Sequence, residues 1–307
     1  METRSMNAHA RIPSSVTATL AARAVVVSLH ITQWSGRRLD RQITDEVNRE
    51  HGASADAGRF NKLLLPKEAL QPIQSIVSAT RAEFDKRTLP WMDGGGRIMN
   101  AAAIMANDRW LSLQKQKFMD AVGEFIASYP ELVRSAPDRM SGLFKDADYP
   151  TVDSLRDRYS MELRKLPVPT PEDFRVSMSE AQADVIRADI ERQVREGAAT
   201  AVRDVYRRVA DVAGRMAERL TAYRPAARKG DQTEGAFRDS LVLNVRDLIE
   251  VLPMLNITGD PELTAMVDRL RPLAAWDAQV LRENEGVRKD VAAEAKKILD
   301  QVSGFLA

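Results

Sequence analysis

Residues 179–223 read SEAQADVIRADIERQVREGAATAVRDVYRRVADVAGRMAERLTAY. This run contains no proline, and its apolar side chains recur at steps of three and four, which places them on one face of a helix. Ser179, Glu180 and Gln182 predict an N-cap, because a short polar side chain is followed by one able to reach back at the third helical position. At 1.5 Å per residue the helix is roughly 65 Å long, so neighbouring segments must cover its apolar face.

The apolar face of this long helix extends from Ile186 to Leu220. It is longer than the four shorter helical segments that we predict after residue 223 can cover, and an uncovered apolar stripe marks an interface. We therefore expect a homo-oligomer. The predicted interface residues are Ile190, Val194, Val205, Val209 and Met216. On the other faces arginines alternate with acidic residues, a pattern typical of a helix that faces solvent or a protein partner.

Composition excludes several classes of protein. The chain has 307 residues, of which 44% are hydrophobic, so it is long enough and apolar enough to bury a substantial core. The 45 basic and 44 acidic residues nearly balance, so the strongly basic charge of many nucleic-acid-binding proteins is missing. The absence of cysteine excludes disulfides, thiolate zinc sites and iron–sulfur clusters. The longest apolar run is far below the roughly 20 residues of a membrane span, and no signal peptide is predicted.

The remaining pattern predicts an α-rich α+β fold. Ala24–Trp34 has the β-branched composition of a strand, and residues 37–50 predict a helix with Leu39, Ile43 and Val47 on one face. Met161–Val168 and Phe174–Met178 predict a hairpin beside the first strand, which gives a small antiparallel sheet. Behind the sheet we expect an elongated antiparallel helical bundle. The predicted domains are a loosely ordered arm (1–22), an α+β lobe (23–178) and a long-helix bundle (179–307).

One segment carries a candidate binding site for single-stranded nucleic acid. An aromatic ring beside a basic cluster can stack on a base and pair with phosphate. The residues are Trp34, Arg37, Arg38 and Arg41. Asp45 and other acids share the helix, however, and a buried Trp34 on a solvated helix is the interpretation that we favour.

Residues Gly94–Gly96 offer a weaker candidate. Consecutive glycines before a helix can expose backbone N–H groups to an anion, but the chain lacks the Gly-Lys-Ser/Thr motif of a phosphate loop. A turn that lets Trp91 and Met92 reach the core is the favoured alternative. The three histidines are scattered at positions 9, 30 and 51, without metal-ligand or general-base spacing. We assign no catalytic, cofactor-binding or metal-binding residue.

Several short motifs together resemble a family of uncharacterised proteins, a domain of unknown function, from tailed phages and prophages. The resemblance covers mainly residues 25–180, and the motifs are SLHITQWSGRRLDRQITDEV (28–47), AGRFNKLLLP (57–66), TLPWMDGGGRIM (88–99), YPEL (129–132), DYP (148–150) and LPVPTPEDFRV (166–176). Members of this family are encoded near AAA+ ATPases, von Willebrand-type proteins or DNA-metabolism genes. The resemblance implies a phage origin and an accessory role, and it brings no catalytic residue.

These observations lead to two functional hypotheses. The leading one is a non-enzymatic phage accessory or scaffold protein in the host cytoplasm, which acts through helix-mediated self-association or a protein partner such as a AAA+ ATPase. The alternative is a single-stranded nucleic-acid-binding factor in phage replication or recombination. An enzyme is the third class, and no cofactor and no membrane association are expected.

Overall fold

The computed structural model describes residues 16–92, 95–173, 179–225 and 233–306. These ranges contain eleven α-helices, numbered in chain order: α1 (Val16–Arg23), α2 (Arg41–Glu50), α3 (Gln71–Arg87), α4 (Ile104–Arg134), α5 (Ala136–Met140), α6 (Val152–Arg156), α7 (Glu180–Ala222), α8 (Ser240–Leu255), α9 (Pro261–Ala274), α10 (Ala278–Glu283) and α11 (Glu285–Leu306). The strands are β1 (Ala24–Thr32), β2 (Arg37–Leu39), β3 (Asn61–Leu63), β4 (Leu89–Pro90), β5 (Arg97–Asn100) and β6 (Ser160–Pro167). The α-rich α+β class predicted from the sequence is confirmed.

A small antiparallel sheet of four strands has the order β4-β5-β1-β6. β1 and β5 pair from Ala24 opposite Asn100 to Val27 opposite Arg97. β6 corresponds to the strand predicted at residues 161–168, and it lies beside β1 as expected. The other half of the predicted hairpin, residues 174–178, lies outside the described residues. A separate two-stranded ribbon is formed by β2 and β3.

The chain divides into two compact units whose boundaries differ from the predicted domains. Unit 1 comprises Met1–Ser28, Asp85–Met105 and Lys165–Ala307, and unit 2 comprises Leu29–Phe84 and Ala106–Arg164. In place of a loose arm up to residue 22, residues 16–23 form α1, whose Val16 and Leu20 are buried in the core of unit 1. Residues 1–15 lie outside the described part of the chain.

Helix α7 is the central element of unit 1. It begins at a capping box, in which the Ser179 side chain accepts from Gln182 N while the Gln182 side chain accepts from Ser179 N. Its apolar face packs mainly on α11. Tyr206 stacks on Phe305 with ring centroids 4.4 Å apart, whereas the Arg288 guanidinium lies 5.0 Å from the Tyr223 ring, so α7 and α11 run antiparallel.

The core of unit 2 is built largely of aromatic side chains. Trp34 meets Tyr129 edge-on, with ring centroids 5.8 Å apart, and Phe125 lies against both. Phe118 and Tyr159 extend this cluster. Such tilted and edge-on contacts are the favoured arrangements of aromatic rings, so they fix the position of the chain that leads into the ribbon.

Candidate interaction surface

The two strands of the ribbon differ in burial: every residue of β2 is exposed, whereas Lys62 at the centre of β3 is buried. Arg38 lies directly opposite Lys62, and Arg37 lies opposite Leu63. Because side chains alternate across a strand, Arg38 and Lys62 lie on one face, which we call the inner face because it carries Lys62, and Leu39 and Leu63 lie on the outer face. Lys62 is almost fully buried, but Leu39 and Leu63 are 39% and 37% exposed.

Helix α2 presents its polar side to the protein. Asp40 caps the helix by accepting from Ile43 N, and Thr44 Oγ1 accepts from Phe60 N at 3.0 Å. Asn48 Nδ2 donates to Ala55 O at 3.2 Å. The bonds of Thr44 and Asn48 satisfy backbone groups of the loop before β3. The sequence pattern could not reveal these contacts.

The apolar residues predicted to share one face of this helix do not form a buried face. Leu39 precedes the helix in β2, and Val47 of α2 is 42% exposed, while Ile43 is half-buried. We call Leu39, Val47 and Leu63 the ribbon surface. Leu39 and Leu63 share the outer face of the ribbon, and exposed apolar side chains that lie together are a feature of interaction sites.

A buried ionic cluster supports the ribbon from its inner face. Lys62 Nζ lies 2.9 Å from Asp40 Oδ2, and it also forms an ion pair with Asp148 and donates to Leu143 O. Lys145 Nζ adds a second cation 3.3 Å from Asp40 Oδ2. The cluster joins β3, the N-terminus of α2 and the segment around residues 143–148, so it fixes the geometry of the ribbon.

Contacts within the cluster favour the charged forms of Asp40 and Lys62. Hydrogen bonds from Lys62 and from Ile43 N lower the pKa of Asp40 from 3.8 to about 2. Burial acts to lower the pKa of Lys62, but the hydrogen bonds to Asp148 and Asp40 outweigh it, and the pKa is raised above its usual value. Lys62 and Asp40 are therefore both charged at neutral pH.

We predict that Asp40→Asn makes the free energy of unfolding less dependent on pH in the acidic range. Ionised Asp40 stabilises the fold above its unfolded pKa of 3.8, and this contribution is lost as the pH falls towards about 2. The variant should be less stable than the native chain at neutral pH, and the difference should shrink between about pH 4 and pH 2. Denaturant midpoints across that range measure it, with the exposed Asp45→Asn as control. Parallel pH profiles for the native chain and Asp40→Asn would contradict the assignment.

The candidate nucleic-acid residues do not form one surface. Trp34 is only 7% exposed, so its ring is not available to stack on a base. Arg37 and Arg41 are exposed, and neither ion-pairs with an acid within the described ranges. Arg38 is largely exposed too, with Nε 3.6 Å from Asp148 Oδ1. The structure therefore places the arginines at the surface and the aromatic ring in the core.

The predicted interface on α7 lies mainly in the core of the same chain. Val194, Val205, Val209 and Met216 are fully buried in unit 1, and only Ile190 is partly exposed. Other elements of the same unit, chiefly α11 but also α8, α1 and β4, pack on α7, whereas the sequence analysis assigned this face to a second copy. These four residues are therefore not exposed for self-association.

The turn that contains Gly95 and Gly96 places Trp91 in the core, as the favoured interpretation expected. Trp91 N donates to Gly96 O at 3.1 Å, and Trp91 is buried with its ring against the bare α-carbon of Gly197. Met92 is partly exposed and does not reach the core, so that part of the prediction is wrong. Gly95 has a φ of +80°, which favours glycine, and Gly94 lies outside the described residues.

The described ranges contain neither a metal-binding cluster nor a membrane-spanning helix. No group of three or more acidic or histidine side chains there could hold a metal ion. No helix in that part of the chain combines the length and the apolar character that crossing a membrane requires.

The fold and the surface together define an α-rich α+β protein with an exposed apolar ribbon face fixed by a buried ionic cluster. No protein-family model matches the chain, and neither a curated protein nor a solved structure shows significant similarity to it.

Proposed function

We propose that this chain is a non-enzymatic accessory or scaffold protein that acts by association through the ribbon surface, first of all with a second copy of itself. The observation that carries the proposal is the exposure of Leu39, Val47 and Leu63 on an element that Lys62 holds rigidly from within. A preformed apolar face loses little conformational freedom on binding, so association through it is favoured.

The charges of α2 favour a second copy as the occupant. The helix exposes Arg41 in its first turn, Asp45 and Glu46 in its middle, and Arg49 and Glu50 in its last turn. In a twofold arrangement with antiparallel α2 helices, Arg41 of one copy faces Glu50 of the other, and this pair is formed twice. We therefore assign self-association to α2. The helix predicted from the sequence, α7, is covered by other segments of the same chain.

We predict that the native chain forms a dimer and that Leu39→Asp with Leu63→Asp converts it to monomer. Two carboxylates in the apolar contact should weaken self-association by about tenfold or more, because each would be desolvated without a partner. Light scattering at tens of micromolar protein should give twice the 34.2 kDa of one chain.

The matched control is Leu113→Asp, because Leu113 is an exposed leucine of unit 2 outside the ribbon surface. This variant should remain a dimer. A monomeric native chain at that concentration, or equal loss of the dimer in both variants, would refute self-association through the ribbon.

Cellular role follows from the same proposal. We propose a phage origin and a cytoplasmic location, supported by the sequence motifs quoted above, and a protein partner such as a AAA+ ATPase. Affinity capture from infected cells with the native chain and with Leu39→Asp/Leu63→Asp tests this. Partners that resist nuclease and disappear with the double variant support the protein-binding role.

Single-stranded nucleic acid is the second candidate, and the exposure of Arg37, Arg38 and Arg41 favours it. Electrostatic binding to phosphates does not require a stacked tryptophan, but it falls steeply with salt. Capture that nuclease abolishes, together with its loss when all three arginines are replaced by alanine, would make this function the correct one.

A further inference from the structure

A cleft lies between α8 and α10 of unit 1. Its volume is about 290 Å³, near the lower end of the roughly 300–1,000 Å³ typical of ligand sites. Such a space suits a small molecule. It is lined by Asp239, Val242, Leu243, Arg246, Asp277, Ala278, Gln279 and Arg282.

Two arginines from different helices face this cleft and are oriented by the chain. Arg246 donates from Nε to Ala274 O and from Nη2 to Asp277 Oδ1, at 3.2 and 3.1 Å. Arg282 donates from Nη2 to Phe237 O at 2.9 Å, and its guanidinium lies 5.2 Å from the centre of the Phe237 ring. Within the described residues, Nη1 of each guanidinium makes no hydrogen bond, so each retains donors for a ligand.

Both arginines already have an acidic partner at the mouth of the cleft. Asp239 accepts from Arg282 Nη2 at 2.6 Å, and the side chains of Asp239 and Asp277 are 72% and 78% exposed. Exposed ion pairs of this kind are weak, so a ligand carboxylate can replace an aspartate at a guanidinium, and the displaced aspartate turns to water. The two aspartates balance the two arginines, so they repel a phosphate dianion more strongly than a monoanion.

The cleft also has an apolar wall. Leu243 of α8 lines it and is 48% exposed, and the buried Val242 and Ala278 lie beside it. Trp276, which is 41% exposed, immediately precedes Asp277 in the chain. An apolar group that covers Leu243 removes this surface from water, which favours binding.

We propose that the α8–α10 cleft binds a small organic carboxylate, whose carboxylate accepts hydrogen bonds from Arg246 and Arg282 and whose apolar body covers Leu243. Planar guanidinium groups match carboxylate geometry, and charge-assisted bonds of this type are stronger than neutral ones. The apolar body supplies the rest of the affinity and separates this ligand from an inorganic anion.

The test is calorimetric titration of the full-length chain with 4-phenylbutyrate, with 4-phenylbutanol and inorganic phosphate as comparison probes. We expect saturable binding of one 4-phenylbutyrate with a dissociation constant on the order of 1 mM, which suits a ligand of this size. Both comparison probes should bind at least about tenfold more weakly, since each lacks one of the two interactions.

Arg246→Gln and Arg282→Gln should each weaken 4-phenylbutyrate binding about tenfold. The matched control is Arg271→Gln, because Arg271 is an exposed arginine of α9 outside the cleft. Leu243→Glu, at an exposed position, should also abolish binding by repulsion, and it decides the matter if an arginine variant fails to fold. Absence of saturation, equal binding of either comparison probe, or unchanged binding in Leu243→Glu would overturn the proposal.

Discussion

Val205→Asp should destabilise the chain by about 4 kcal/mol or more, the largest effect that we expect from a single substitution. Val205 is 1% exposed and lies in the core of unit 1, on the face of α7 that also carries Val209. An aspartate there buries a carboxylate among apolar side chains. The denaturant midpoint of the helical signal measures the loss.

The control for this prediction is Arg207→Ala, two residues further along the same helix. Its side chain is 63% exposed and pairs with Asp204, so its removal should cost about 0.5 kcal/mol or less. The pair of variants therefore tests the register of α7. Equal losses of stability in the two would show that the assigned faces are wrong.

Gly235→Ala should cost about 3 kcal/mol or more, because the new methyl group meets backbone that cannot move away easily. Gly235 follows the bridge between Arg224 and Glu234, in which each backbone N–H donates to the other residue's carbonyl. Its φ is +61°, and an added Cβ would lie 2.5 Å from Ala222 O. The substitution therefore combines left-handed strain with a collision at the C-terminal end of α7.

Gly95→Ala separates these two contributions. Gly95 also belongs to unit 1 and has a φ of +80°, but no atom in the described part of the chain lies within 4 Å of an added Cβ. We expect a loss of about 1 kcal/mol from backbone strain alone. If the two alanine variants unfold at the same denaturant concentration, the close approach at Ala222 does not contribute.

The elements that the sequence predicted best are those whose signal is local. The apolar period of α7 and its cap at Ser179 depend on neighbouring residues, and the structure has both. The strand at Met161 was also predicted, because the prolines that follow it exclude a helix. Strands of two to four residues, such as β3, were missed since so short a run shows no periodicity.

The wrong predictions concern which segment of the chain packs against each helix face. The pattern showed that Val205 is on an apolar stripe, but it could not show that α11, about a hundred residues later, covers that stripe. Similarly, Thr44 and Asn48 form the buried side of α2, because their side chains hydrogen-bond to the backbone of a nearby loop.

The candidate sites were equally difficult to predict. Lys62 gave no signal, since its partners Asp40 and Asp148 come together only in the folded chain. Arg246 and Arg282 likewise belong to different helices of the bundle, and only tertiary structure places both at one cleft.

The interleaving of the two units imposes an order on folding during synthesis. The last residue of unit 2 is Arg164, whereas unit 1 needs α11, which ends at Leu306. At about 5–20 residues per second, a ribosome adds the residues between the ends of α7 and α11 in roughly 4–17 s. During that interval the apolar face of α7 has no α11 to cover it, so the nascent chain exposes an apolar surface that α11 later buries.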